Sequence, residues 1–166
     1  MEVIAMDVLH APWRMKYIDK SSKEKIDCIF CEFIKEREDE KRLILYRGKK
    51  AFVMFNAFPY NPGHLMVAPY RHTGNYDELN QEEILEINLL VQKCLKALKK
   101  TMDPHGFNIG INMGKVAGAG FEDHVHVHIV PRWEGDTNFM PVVGETKVIP
   151  EALDVTYRKL KEAWEE

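Results

Sequence analysis

No stretch of this chain approaches the roughly 18 consecutive apolar residues that a membrane-spanning helix needs. The opening residues, MEVIAMDVLHAPWRM, carry acids early and lack the apolar run of a secretory signal. Cysteine is scarce: three residues in 166, an odd and low number that does not describe a disulfide scaffold. Neither charge sign dominates. With 23 basic and 26 acidic side chains the net charge is −3, which argues against a protein that coats nucleic acid. A small anionic ligand stays compatible, because a site can be locally positive on an acidic protein. There is no repeat of 20–50 residues, no low-complexity segment, and no carboxylate cluster of the kind that holds magnesium. A cytoplasmic protein without membrane or nucleic-acid partners is the expectation.

The length suits one domain with a sizeable core. Residues 1–26, with Pro12, Trp13, Tyr17 and a polar run, read as an irregular arm, and 27–166 as a single domain. A short helix is expected from Cys28 to about Glu38. The segments KRLILYRG and KAFVMFNAFP read as two strands joined by a turn at Arg47–Lys49. Asn61-Pro62-Gly63 signals a turn, and HLMVAPY a third strand. The clearest helix is Gln81–Thr101. Asn80 and Glu83 are spaced for a capping box, and Leu79 and Ile84 for a hydrophobic staple. Its apolar stripe is Ile84, Ile87, Val91, Cys94, Leu95, Leu98 and Met102, with Lys96, Lys99 and Lys100 suited to the negative end of the dipole. FNIGIN alternates like a strand, a glycine-rich loop (GKVAGAGFED) follows, and a further strand runs through DHVHVHIVP. Beyond Arg132 come a loop, a short extended piece and a last helix from about Pro150, with Leu153, Tyr157, Leu160 and Trp164 on its apolar face. The pattern predicts an α+β fold, mainly antiparallel sheet with helices packed on it.

Three of the seven histidines stand at alternate positions. In a strand, His124, His126 and His128 share one face, about 6.6 Å apart, while Val125, Val127 and Ile129 point into the core. A core histidine is usually solitary, so three in register on the polar face call for chemistry. Two readings follow from the residues: ligands to a catalytic metal, or a neutral imidazole nucleophile that carries a transferred group. The second needs a neighbour that holds the tautomer and stabilisation of the charge building on the substrate. Gly114, Gly118 and Gly120 free the upstream backbone to turn N–H groups towards an anion.

Cys28 and Cys31 have the spacing of half a tetrahedral zinc site. A redox dithiol is a rival reading, although no βαβ unit of the thioredoxin kind surrounds the pair; plain buried thiols are a third. Cys94, on the apolar stripe of its helix, reads as a core thiol. His10 and His105 belong to no cluster. Arg132 suits a phosphate or a surface ion pair, and Trp133 and Phe139 suit a nucleotide base or tail packing.

HVHVHIV resembles the signature of the histidine-triad (HIT) nucleotide hydrolases and transferases. AFVMFNAFPYNPGHLMVAPYRH resembles the family's strand–turn–strand, and FNIGINMG the strand before the signature. The tail RWEGDTNFMPVVGETKV, within a C-terminal extension of about 133–166, looks most similar to the diadenosine tetraphosphate phosphorylase branch. The resemblance implies a HIT-like domain that forms a homodimer through its sheet and long helix. It implies cleavage of a dinucleoside polyphosphate at the α-phosphate, with water or inorganic phosphate as acceptor. His126 would be the nucleophile that takes the nucleotidyl group, with His128 bonding phosphate or bridging oxygens. Asn56 would stand at the ribose, and Asn112, His64, Gly118 and Gly120 near the phosphates. It further implies structural zinc held by Cys28, Cys31, His72 and His124, and no nucleotide cofactor. Many relatives carry Gly-Gly-Gln before the signature; here Gly118-Ala119-Gly120 stands there, so backbone N–H groups and Lys115 are expected to serve the phosphates. Alternatives are a phosphoramidate hydrolase of the same family, a hydrolase with a metal held by all three triad histidines, and a non-catalytic nucleotide-binding protein.

Overall fold

A computed structural model describes residues 27–137, 149 and 151–165. The expectations for the N-terminal arm, His10, Phe139, the extended piece before 149, and Pro150 lie outside the described residues. Five strands form one sheet: β1 (Ile44–Arg47), β2 (Ala51–Phe55), β3 (Leu65–Pro69), β4 (Gly106–Ile111) and β5 (Val127–Arg132). Their order is β1-β2-β3-β5-β4, and every neighbouring pair is antiparallel. With helices α1 (Ile29–Lys35), α2 (Gln81–Met102) and α3 (Leu153–Glu165), this is the expected α+β class. No helix among the described residues is long and apolar enough to cross a membrane.

Each sheet face has its own apolar cluster, which follows from strands buried on both sides. Val53, Phe55, Leu65, Val67, Val125, Val127 and Ile129 meet α2 and α3 on one face. Ile44, Phe52, Met54, Met66 and Ala68 meet α1 on the other. Fully buried side chains such as Phe55, Ile129, Leu98 and Leu160 each contribute about 1.5–3 kcal/mol through burial.

The capping box of α2 is present: Asn80 Oδ1 accepts from Glu83 N at 3.0 Å, and Glu83 Oε2 accepts from Asn80 N at 2.9 Å. The buried face of α2 is rotated from the expected stripe. Ile87, Leu90, Cys94, Ala97 and Leu98 are buried, whereas Ile84, Val91, Leu95 and Met102 are partly buried at its margin. Contact with α3 as well as the sheet widens the face beyond one stripe. Glu86 ties α2 to the β1–β2 hairpin by accepting from the backbone N–H groups of Lys49, Lys50 and Ala51. Helix α3 starts at Leu153, later than the expected Pro150. Helix α1 ends at Lys35, short of Glu38.

Gly63 illustrates a close approach. Its φ is +74°, and a Cβ there would stand 2.7 Å from Met102 Sδ and 2.9 Å from Leu98 Cδ2. The Asn61-Pro62-Gly63 turn therefore presses against the end of α2 while placing His64 just before β3. At the opposite edge of the sheet, β4 pairs only on its β5 side among the described residues. Ile109 on that edge is half exposed, as are Leu85 and Leu89 on α2 and Met113 after β4.

Candidate active site and metal centre

The β5 ladder starts at Val127, so His124 and His126 sit on the extended segment just before it. Side-chain alternation holds across the join. Val125, Val127 and Ile129 enter the helix-covered core, and His128 lies opposite Met66 on the other face. That face is not an open polar surface, as the sequence suggested. His124 and His126 are buried, because α1 lays Phe30 over them at ring-centroid distances of 4.9 and 4.7 Å.

His124 turns towards α1. Its Nδ1 lies 3.3 Å from Cys28 Sγ and 3.6 Å from Cys31 Sγ, and Cys31 Sγ lies 3.4 Å from His72 Nδ1. All four donor atoms fall within 4.8 Å of one another. For metal–sulfur and metal–nitrogen bonds of about 2.3 and 2.05 Å, a tetrahedron has a sulfur–nitrogen edge of about 3.6 Å. The observed separations fit, so this two-thiol, two-imidazole cluster can hold a metal ion. The electrostatics agree. Burial, reinforced by Cys28, pushes the Cys31 thiol up to about 11; a bound dication reverses that by stabilising thiolates. The backbone carbonyl of Pro69 can only accept, so at 2.9 Å it fixes the His124 proton on Nε2 and leaves the Nδ1 lone pair facing the cysteines. Burial lowers the His124 pKa to about 4, which keeps the ring neutral. With both its nitrogens so engaged, His124 does not converge with His126 and His128 on one shared ion.

The same hydrogen-bond logic assigns the other two rings. His126 Nδ1 lies 2.8 Å from the carbonyl oxygen of His124, so the Nδ1–H donates there and the lone pair is on Nε2. Burial lowers the His126 pKa, and the neutral form is favoured. His64 is fully buried, and its Nδ1 accepts from the Tyr60 N–H at 3.1 Å. Its Nε2–H therefore donates to His128 Nδ1, 3.0 Å away, which leaves the His128 proton on Nε2. The His126 and His128 rings meet edge to face at 4.6 Å. One ring thus offers a lone pair beside another that offers a proton.

The glycine-rich loop departs from expectation. Gly114 (φ 76°) and Gly118 (φ 87°) do take positive φ, but they bracket a single helical turn over Lys115–Ala117. The N–H groups of Ala117 and Ala119 donate to Gly114 O, and that of Gly118 to Lys115 O, so these three serve the loop's own carbonyls. Asn112 Nδ2 lies 3.9 Å from where a Gly118 Cβ would be. Gly120 and Lys115 are exposed. Asn56 is tied to the His64 segment: its N–H donates to His64 O, and its Oδ1 accepts from Phe58 N at 2.8 Å.

Arg132 takes the ion-pair reading. It makes a bidentate contact to Asp136 at 2.6 and 2.7 Å and donates to Asn108. Asp136 also accepts from Asn61 Nδ2 and Trp133 N. His105 Nδ1 accepts from Glu134 N, apart from the triad. Cys94 is fully buried, and burial raises its thiol pKa, as a core thiol requires. Sequence reasoning missed Phe30 and Tyr60. Tyr60 stacks on His64 at 4.8 Å and stands four residues before it, a spacing that the PYNPGH turn could have signalled. Phe30 had no such signal beyond lying inside CIFC.

Comparison with known proteins accords with this geometry. Residues 37–135 match the HIT domain family. An AP-4-A phosphorylase of Mycobacterium tuberculosis is 41% identical over 163 residues, spanning 94% of this chain and 83% of its own. The adenosine 5′-monophosphoramidase of Schizosaccharomyces pombe is 33% identical over 107 residues, 64% of this chain and 75% of its own. The crystal structure of a hypothetical histidine triad nucleotide-binding protein from Sulfolobus tokodaii strain7 superposes with a TM-score of 0.67 at 26% identity, covering 83% of this chain and 92% of that one. With the triad, the sheet order and these matches in agreement, the chain belongs to the HIT domain family.

Proposed function

We propose that this protein cleaves dinucleoside polyphosphates of the diadenosine tetraphosphate type at the α-phosphate through a nucleotidyl-His126 intermediate. The observation that carries the reading is the tautomer arrangement: a neutral His126 with its lone pair on Nε2, beside a His128 with its proton on Nε2. The Nε2 lone pair of His126 attacks the α-phosphorus. The bridging P–O bond breaks, and its electron pair leaves on the departing oxygen, to which His128 Nε2–H donates. The His128 proton stays on its ring, hydrogen-bonded to the departing oxygen, and the polyphosphate leaves as an anion. In the second step an oxygen of the acceptor attacks the same phosphorus, the P–N bond returns its electron pair to His126, and attacking water gives its proton to solvent. Inorganic phosphate as acceptor gives ADP, and water gives AMP. The extent of similarity to the relative named AP-4-A phosphorylase supports phosphate. Asn112 and the exposed Gly120 are assigned to the phosphates, since the Gly118 and Ala119 N–H groups serve the loop's own carbonyls; Asn56 is assigned to the ribose, and His64 to holding His128. A phosphoramidate linked to AMP fits the same two rings; similarity to the fission yeast phosphoramidase keeps it as the second reading.

The metal is read as one structural zinc on Cys28, Cys31, His72 and His124. When bound it would stabilise Cys28 and Cys31 as thiolates and so anchor α1, and it takes no part in the chemical steps. Reduced cysteines in such a site suit the cytoplasm. The β4 edge and the half-exposed Ile109, Met113, Leu85 and Leu89 support a homodimer that covers them.

The test is intact-protein mass spectrometry with diadenosine tetraphosphate, wild type beside His126→Ala, quenched early, with and without inorganic phosphate. A transient gain of one AMP on wild type alone, with ADP formed only when phosphate is present, is the expected result. AMP plus ATP without phosphate assigns a hydrolase, and turnover by His126→Ala removes the nucleophile assignment.

A further inference from the structure

We propose that Phe30 is a positioning residue for His126, carried into place by the helix that the metal-site cysteines anchor. The proposal rests on His126 being the nucleophile. Helix α1 has only seven residues, too few to be stable alone, and Cys28 gives it no side-chain cap. Phe30 is the buried residue of α1, 1% exposed, and lies between Cys28 and Cys31. Its ring faces the His124 ring at 4.9 Å with a 33° tilt, and the His126 ring at 4.7 Å with a 37° tilt. Behind it stand Phe52 at 6.4 Å and Phe121 of the glycine-rich loop, edge-on, at 6.0 Å. One flat side chain therefore contacts a metal-cluster histidine, the nucleophile and the glycine-rich loop.

A positioning surface is needed because of what holds His126 otherwise. The Nδ1–H bond to the His124 carbonyl fixes one atom of the ring. The outer torsion of histidine is broad and not confined to sharp wells, so a ring pinned at one nitrogen still swings Nε2. The His128 ring meets it edge to face, and the Phe30 ring supplies a second wall. A displacement of about 1 Å at a reacting atom costs on the order of 10²-fold in rate, so a wall that removes part of that swing acts on kcat. Phe30 is buried away from substrate, so its loss acts on kcat while KM is spared.

The experiment uses the full-length, zinc-loaded protein as Phe30→Leu and Phe30→Ala, with diadenosine tetraphosphate as substrate. Phe30→Leu retains apolar bulk without the flat face, and it keeps the test alive if Phe30→Ala fails to fold. Three quantities are read: kcat and KM separately, zinc per chain, and the imidazole Nδ1–H NMR resonance that His126→Ala abolishes. The expected result for Phe30→Leu is a kcat about tenfold lower, KM within threefold, unchanged zinc, and a His126 resonance broadened by exchange. A kcat within twofold of wild type, or a rate loss that tracks zinc loss with the resonance intact, overturns the proposal. If His126→Ala still turns over, the nucleophile assignment has failed. If His126→Ala is dead while Phe30→Leu runs at the wild-type rate, only the positioning role has.

Discussion

Replacing His64 by Phe separates the packing of this ring from its hydrogen bonding. The ring is fully buried and stacked on Tyr60, so Phe fills the space but offers neither nitrogen. Two consequences follow. The Tyr60 N–H loses its acceptor, and a buried donor left unsatisfied costs about 1–3 kcal/mol. For a domain of this size each kcal/mol lowers Tm by about 2–4 °C, so a mid-range cost of about 2 kcal/mol predicts a drop of about 4–8 °C. Separately, His128 loses the donor that keeps its own proton on Nε2. A net hydrogen bond is worth about 1 ± 0.5 kcal/mol, so losing it alone lowers kcat by a factor of about 2–15. His128→Ala removes the donor itself, and the range for losing one hydrogen-bond donor to developing charge, about 10²–10³, applies. The assay is kcat on diadenosine tetraphosphate with calorimetric Tm, for both single variants and the double. If His64 acts through His128, the double variant is no slower than His128→Ala. A double variant slower by the full His64 factor, or a His64→Phe enzyme at the wild-type rate, would refute the tautomer relay.

Removal of the metal should be felt across the N-terminal half of the site. Elemental analysis should give one zinc per chain, and Cys31→Ser should abolish it with a Tm drop of about 10 °C, or some 3–5 kcal/mol. The Asp136 carboxyl is held well below its ordinary range by the Arg132 guanidinium, with help from the Trp133 N–H and Asn61. A group depressed on folding stabilises fully above its unfolded value of about 3.9 and loses that contribution as pH falls further. Melting curves from pH 7 to 3 should therefore show Asp136→Asn below wild type at neutral pH and converging with it below about pH 4; a constant gap sinks the assignment. At the sheet edge, Ile109→Lys should convert a dimer to monomer in light scattering at micromolar concentration. An unchanged mass would show that β4 is not the interface.

What the sequence determined by itself was whatever depends on short-range spacing. Alternation across HVHVHIV was enough to set valines against histidines on opposite faces. The four-residue span Asn80–Glu83 was enough to set the start of the long helix, because a capping box is local. Resemblance to known proteins added which histidine belongs to the cysteines, a pairing across 96 residues that no spacing rule reaches. Only the tertiary structure decided the rest. Which nitrogen of His128 carries its proton depends on His64, 64 residues away, and through it on one backbone N–H at Tyr60. Arg132 reads equally well as a phosphate ligand until Asp136 and Asn108 are seen around its guanidinium. The glycine-rich loop near 114–120 reads as an anion cradle until the N–H groups of Ala117, Gly118 and Ala119 are found turned onto the loop's own carbonyls. Phe30 is one apolar residue among many until α1 folds across the sheet and sets its ring on His126. Proton positions, ion-pair partners and ring contacts are set by groups that meet only when distant elements pack, and one-dimensional periodicity carries no record of those meetings.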